Sequence, residues 1–174
     1  MKQKIYIKLF GNAEKLTIKE QGDWIDLKTS EEVSMTCPVA DVLKKTDKVK
    51  TRDVKFDFTL ISLGVGMILP KGMEAHVVPR SSTFKKWHIL LANSQGIIDN
   101  SYCGDEDEWK FPALAFDNTT IPAGTSIAQF RIVPSQRATF WQKLKWLFSS
   151  GVELVYVSSL KRESRGGFGS TGDK

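Results

Sequence analysis

The sequence predicts an all-β fold, and three observations carry that expectation. Apolar residues alternate with polar ones from the first segment onward, as in Ile5, Ile7 and Leu9 set among lysines. Short apolar runs are bounded by Pro-, Gly- and Asn-containing turn signals. Sustained helical spacing occurs near the C-terminal end, over Gln136 to Ser149. Successive strand side chains point to opposite faces, so alternation marks a sheet with one buried side. The 174 residues, 41% hydrophobic and 26% charged, suit one domain with a real core.

In order, Ile5 to Leu9 is a half-buried strand. Gly22 to Leu27 is a second, with Asp26 between Ile25 and Leu27. An acid so flanked points out of the sheet, where it is either simply exposed or able to hold a metal ion through water. Ser30 to Asp57 is polar and lysine-rich, a long excursion with a short helix about Val39 to Lys45. Phe56 to Leu69 returns as strand, Pro70-Lys71-Gly72 turns, and Met73 to Val78 is the next strand. Pro79-Arg80-Ser81-Ser82-Thr83 follows. Arg80 brings a rigid fork of donors, and the two serines bring hydroxyls and adjacent N–H groups. A helix starting near Ser81 would add a positive dipole end. A phosphate cradle and a plain helix N-cap fit this stretch equally.

Asn93 to Gly104 reads NSQGIIDNSYCG, the grammar of a β-hairpin: an apolar strand, a polar Asn100-Ser101 turn and a return strand through Tyr102. Asp99 closes the apolar run. Half shielding from water would keep such a carboxylate a usable base near neutral pH, although Asp is also a common turn former. Asp105-Glu106-Asp107-Glu108 reads as a solvated charge run. Phe111 to Asn118 and Thr125 to Val133 are strands around the Pro122-Ala123-Gly124 turn. Gln129 needs a polar partner if buried. Phe140, Leu144, Leu147 and Phe148 recur at helical spacing, the pattern of an amphipathic helix packed on the sheet, with a partner- or membrane-docking helix as the alternative. Val152 to Val157 is the last strand. The tail from Ser164, SRGGFGSTGDK, is either a disordered terminus or a lid that orders over ligand.

Composition excludes several classes. A net charge of +5 is mild and does not call for nucleic acid. Cys37 and Cys103, like His76 and His88, lie too far apart for a zinc-ligand pattern. The start lacks a signal-peptide core, and Phe58 to Leu69 is too short to span a bilayer. A soluble, cytoplasmic protein is expected.

GDWIDL, PRSS, NSQGIIDNSY, GTSIAQ and RGGFGSTG stand in the order and approximate spacing of the five motifs of the homotrimeric dUTPase family, which the chain resembles over nearly its whole length. The resemblance implies a jelly-roll-like β-barrel over residues 1–163 with one extra helix near residues 138–149. Residues 164–174 become a glycine-rich lid. It further implies a homotrimer with shared sites, the tail of one chain closing over a site built by the others, and Mg²⁺-dependent hydrolysis of dUTP to dUMP and pyrophosphate. By motif, Asp99 matches the base and Tyr102 the ring under the deoxyribose. Asn93, Gly96, Ile97, Ile98 and Asp99 match the uracil-reading edge. Arg80, Ser81, Ser82 and Gln129 match phosphate contacts, and Asp26 the acid that holds Mg²⁺ through water. Arg165, Phe168, Gly169, Ser170 and Thr171 match the lid. Two other readings share the motifs: a dCTP deaminase of the same superfamily, and a regulatory protein switched by dUTP. Against the deaminase stand the Phe-Gly-Ser-Thr-Gly tail and the expectation that no glutamate lies in an apolar strand beside the hairpin.

Overall fold

The computed structural model describes residues 1–37 and 57–167. The short helix expected about Val39 to Lys45 lies outside them, as do Phe168 to Thr171. Among the described residues the chain is all-β with two short helices. Its strands are β1 (Gln3–Leu9), β2 (Ile25–Lys28), β3 (Val33–Met35), β4 (Phe58–Ser62), β5 (Val65–Ile68) and β6 (Met73–Pro79), then β7 (Ile89–Leu91), β8 (Gly96–Ile98), β9 (Lys110–Ala115), β10 (Thr119–Ile121), β11 (Ser126–Pro134) and β12 (Val152–Tyr156). Helix α1 (Thr83–Trp87) follows β6, and α2 (Phe140–Leu147) follows β11. They pair as β12-β1-β5, β10-β3, β2-β11-β6-β8 and β4-β9-β7.

Period-two alternation places the core. Ile5 and Ile7 of β1, Ile25 and Leu27 of β2 and Met73, Ala75 and Val77 of β6 are all buried, while the residues between them face outward. The apolar run over residues 58–69 is two strands rather than one. It breaks at Gly64, whose φ of +65° and closeness to Ala13 leave no room for a side chain. Strand β3 lies in the excursion read as irregular, where its Val33–Met35 pairs with β10.

Trp109 and Phe130 meet edge to face at 5.2 Å in the centre of the core. Trp109 is fully buried, and its Nε1–H is the buried side-chain donor without a partner among the described residues. Packing outweighs that unmade bond. We therefore expect Trp109→Ala to cost about 3–5 kcal/mol, read as a melting temperature lower by roughly 6–20 °C. Trp109→Phe should cost less, because it removes the orphan donor along with the indole.

Helix α2 departs from expectation. Its start is well specified: Thr139 accepts from the Gln142 N–H, and the Gln142 side chain accepts from the Thr139 N–H, a complete capping box. Its apolar face is not packed on the sheet, however. Phe140, Trp141, Leu147 and Phe148 are each more than two-thirds exposed, and Trp146 is the aromatic that reaches the core. Eight residues make barely two turns and none of them is buried; the partly buried Trp146 makes the contact with the core in place of most of the periodic stripe. Among the described residues no helix is long and apolar enough to cross a membrane.

Candidate active site

Strand β8 pairs antiparallel with β6, Ile98 opposite Ala75 and Gly96 opposite Val77. Backbone approach is close at Gly96, where a Cβ would sit 3.3 Å from that of Val77. The hairpin expectation is thereby corrected, because β8 finds its partner in β6 and the chain after Asp99 does not return as a strand. It turns instead, with the Tyr102 N–H donating to the Asp99 carbonyl at 3.3 Å. Asn100 anchors the turn through its side-chain amide, which donates to the carbonyls of Pro70 (3.0 Å) and Met73.

Asp99 is thus carried at the end of a strand whose register is set by the buried face of β6. Its Oδ1 accepts from the Ser101 N–H at 2.7 Å and from the Ser101 hydroxyl at 2.5 Å. Its Oδ2 accepts from Arg165 Nη1 at 2.8 Å, and the same nitrogen donates to Ser101 Oγ at 2.6 Å. Burial alone would raise the pKa of this carboxyl. The Ser101 hydroxyl and N–H, with the Arg165 guanidinium, together outweigh burial and hold it below the usual carboxylate range. Shielding does not raise the pKa of Asp99 here, and the carboxyl stays ionised. A depressed folded-state pKa contributes stability above the unfolded value of about 3.9, and that stability is lost as pH falls through the folded pKa. The Asp99 midpoint, followed by carboxyl-carbon NMR, is expected below about 3.9, rising in Arg165→Ala as the cation is lost.

Tyr102 is half-buried, and its hydroxyl donates to the Glu108 carbonyl at 2.9 Å. Burial, with Asp107 and Glu108 nearby, raises its pKa, so the ring stays neutral. Between β8, Tyr102 and the tail root at Arg165 to Gly167 opens a cavity of about 280 Å³, walled also by Asn93, Leu91 and Trp109. This is close to the lower end of small-molecule sites, and its lining mixes apolar Leu63, Val77 and Trp109 with polar Asn93, Asp99 and Arg165. The tail's first residues meet the Asp99 of their own chain, where the resemblance implied a neighbour's site.

A second group forms elsewhere on the same sheet. Asp26 of β2 lies opposite Gln129 of β11, which lies opposite Val78 of β6. Directly opposed residues share a face, so Asp26 and Gln129 project together. Arg80 closes the group, its Nε 3.1 Å from Asp26 Oδ1, while Lys19 Nζ lies 2.6 Å from Oδ2. Asp26 does point outward, but its side chain is only 15% exposed because these cations cover it. Gln129 is half-buried. Ser81 and Ser82 follow in the turn into α1, which begins at Thr83, and Ser82 makes no side-chain capping bond. Its hydroxyl is not spent on the helix. None of these residues lines the cavity beside Asp99.

No family model matches the chain. It is 43% identical over 155 residues to the SPbeta prophage-derived deoxyuridine 5'-triphosphate nucleotidohydrolase YosS of Bacillus subtilis, across 89% of this chain and 87% of that one. The chain belongs to the deoxyuridine 5'-triphosphate nucleotidohydrolase, or dUTPase, family. It is also 36% identical over 121 residues to the enzyme of that name from Hydrogenobaculum, across 68% of this chain and 74% of the relative. A solved structure of a mutant dUTPase from phage phi11 of S. aureus, described as revealing coordination of a structural Mg(II) ion, shares the fold. Its TM-score is 0.59 at 16% identity, over 78% of this chain and 94% of that one.

Two features of this dUTPase-family site escape the motifs. Glu74 does lie beside β8, in β6, against the expectation that no such glutamate exists. Its Oε1 bonds His76 Nε2 at 3.0 Å, and it does not line the cavity but a neighbouring groove that Lys71, Arg137, Asp99 and Arg165 also line. The acidic run is not a solvated tip either. Asp107 is buried, Asp105 accepts from Ser159 Oγ and the Leu160 N–H (each 2.7 Å), and Glu108 accepts from the Gly64 N–H at 3.1 Å. A charge run carries no periodicity that distinguishes bonded from solvated acids, so sequence could not have found this.

Proposed function

We infer that this chain hydrolyses dUTP to dUMP and pyrophosphate, with Asp99 as the base. One observation carries the reading: an ionised carboxylate lines a cavity of about 280 Å³ with a guanidinium 2.8 Å away. Uracil would sit against the backbone of Gly96 to Asp99 and the Asn93 side. The Tyr102 ring would lie under the deoxyribose and leave no space for a 2′-hydroxyl. Asp99 takes a proton from a water molecule as the water oxygen bonds the α-phosphorus. The bond from that phosphorus to the bridging oxygen breaks, and pyrophosphate leaves with the electron pair. Arg165 must first give up Asp99 Oδ2, and the negative charge of the triphosphate is what draws it off. Phosphoryl transfer rewards such positioning and charge neutralisation above covalent chemistry.

The two groups of site residues support a homotrimer with shared sites. Ile98, next to Asp99, is level with Ala75 on β6, and Arg80 lies five residues further along, roughly 17 Å at strand rise. A triphosphate leaving the cavity would meet the Arg80, Ser81, Ser82 and Gln129 strip of another copy. Mg²⁺, held by phosphate oxygens and through water by Asp26, would supply charge neutralisation there; it needs few protein ligands. Lys19, which is exposed, would have to swing off Asp26 to admit it. Phe168, Gly169, Ser170 and Thr171 complete the lid over residues 164–174 in this reading, with Phe168 on the uracil face.

The test is pyrophosphate release from dUTP, dTTP, dCTP and UTP, with Mg²⁺ and after chelation. Release from dUTP alone, lost with chelator and restored by Mg²⁺, is expected. Ammonia from dCTP would instead favour the deaminase. Binding of dUTP without any release would favour the regulatory protein.

A further inference from the structure

Asp107 is 1% exposed and has no part in the five motifs. Its Oδ2 accepts from the Gly104 N–H at 2.8 Å and the Arg165 N–H at 3.1 Å, and its Oδ1 accepts from the Gly166 N–H at 3.2 Å. A buried carboxylate stays buried only when hydrogen-bonded, and here its partners are backbone donors, two of them in the tail root. Its neighbours in the run extend the grip. The Asp105 N–H donates to the Arg162 carbonyl at 3.0 Å, and the Glu106 N–H donates to Ser164 Oγ at 2.8 Å. Gly104 lets the two backbones touch: a Cβ there would fall 2.3 Å from Ser164 Cα and 2.4 Å from the Glu163 carbonyl oxygen.

The consequence falls on Arg165. Its backbone is pinned by Asp107 while its guanidinium reaches Asp99 at 2.8 Å, so one buried carboxylate sets where the other's cation arrives. We propose that Asp107 is a positioning residue that clasps the backbone of Arg165 and Gly166 and so delivers the Arg165 guanidinium to the mouth of the nucleoside cavity. It touches neither substrate nor reacting atoms; it acts through Arg165. The sequence run that looks like a charged surface tip is thus the seat of the tail root, Ser164 to Gly166. This inference rests on the reading of the chain as a dUTP hydrolase, and its test has one readout that needs no substrate.

The experiment is a double-mutant cycle on dUTP turnover. Asp107→Asn is made in the full chain and in a chain ending at Ser164, and kcat and KM are measured for all four proteins. In the full chain Asp107→Asn is expected to lower kcat/KM by roughly 10–100-fold, mostly in kcat, because a misplaced charge is lost chiefly from the transition state. In the shortened chain, which has no Arg165 to place, the same substitution should change kcat/KM by less than about twofold. Equal losses in both backgrounds would mean a merely structural acid and would overturn the proposal, as would no loss in the full chain. Gly104→Ala, which keeps the carboxylate but pushes on Ser164, should show the same pattern, so poor folding of one variant does not decide the matter. Amide exchange at Arg165 and Gly166, measured without nucleotide, separates the clasp from the enzyme. Faster exchange in Asp107→Asn supports the clasp even if dUTP is not the substrate, and unchanged exchange overturns it.

Discussion

Asp99→Asn is expected to lower kcat for dUTP by about 10²–10⁴-fold while leaving the dissociation constant within a few-fold. The amide keeps the size of the carboxylate and can still accept from the Ser101 N–H, so the turn that shapes the cavity survives. What it loses is the ability to take a proton from water as that water attacks phosphorus. The substitution also removes the charge that holds Arg165 in this structure. Arg165 would then be free to meet phosphates early, which favours binding and makes a fall in kcat without a rise in KM the diagnostic pattern. Turnover near that of the unaltered protein would take the base role away from Asp99.

Ending the chain at Ser164 should lower kcat/KM by on the order of 10²-fold or more, the usual scale for losing a well-placed cation from a charged transition state. The melting temperature should fall only slightly, because removing the tail root lets water reach Asp107 and replace the two backbone donors it loses. Leu160 is the last buried apolar residue of the described chain, and Arg165, Gly166 and Gly167 lie on the surface or half-buried over the cavity. Among the described residues the fold loses one exposed ion pair, the Arg165 bond to Ser101 Oγ and the two Asp107 bonds, but no buried apolar side chain. Calorimetry and steady-state kinetics on the same preparation check both halves. A large drop in melting temperature would mark the segment as part of the fold instead of a lid.

Much of this was legible in the residues. Alternation in β1, β2, β6 and β11 located the buried faces because a strand's period of two is fixed by backbone geometry and needs no partner to be read. The motifs located Asp99, Tyr102 and the Gly96–Ile98 edge, and these do gather at one cavity. Where pairing decided the outcome, local pattern failed. Gly96 to Tyr102 has hairpin chemistry, yet β8 pairs with β6, because a sheet edge far away in sequence competes with the local return strand and wins. The helical stripe of α2 predicted a packed face, but a helix of eight residues can turn most of that stripe to solvent once Trp146 supplies the contact.

By itself, the sequence determined the fold class, the family and the identity of the groups around Asp99, since each rests on local period, local turn chemistry or motif order. Only the tertiary structure decided which of those groups share a cavity and which lie along β6 near Arg80. It alone decided that Asp107, with Asp105 and Glu106, grips the tail root and the chain leading into it while Glu108 bonds Gly64. The reason is physical: a carboxylate's burial, partners and pKa are set by what long-range strand pairing brings against it, and spacing along the chain carries no record of that.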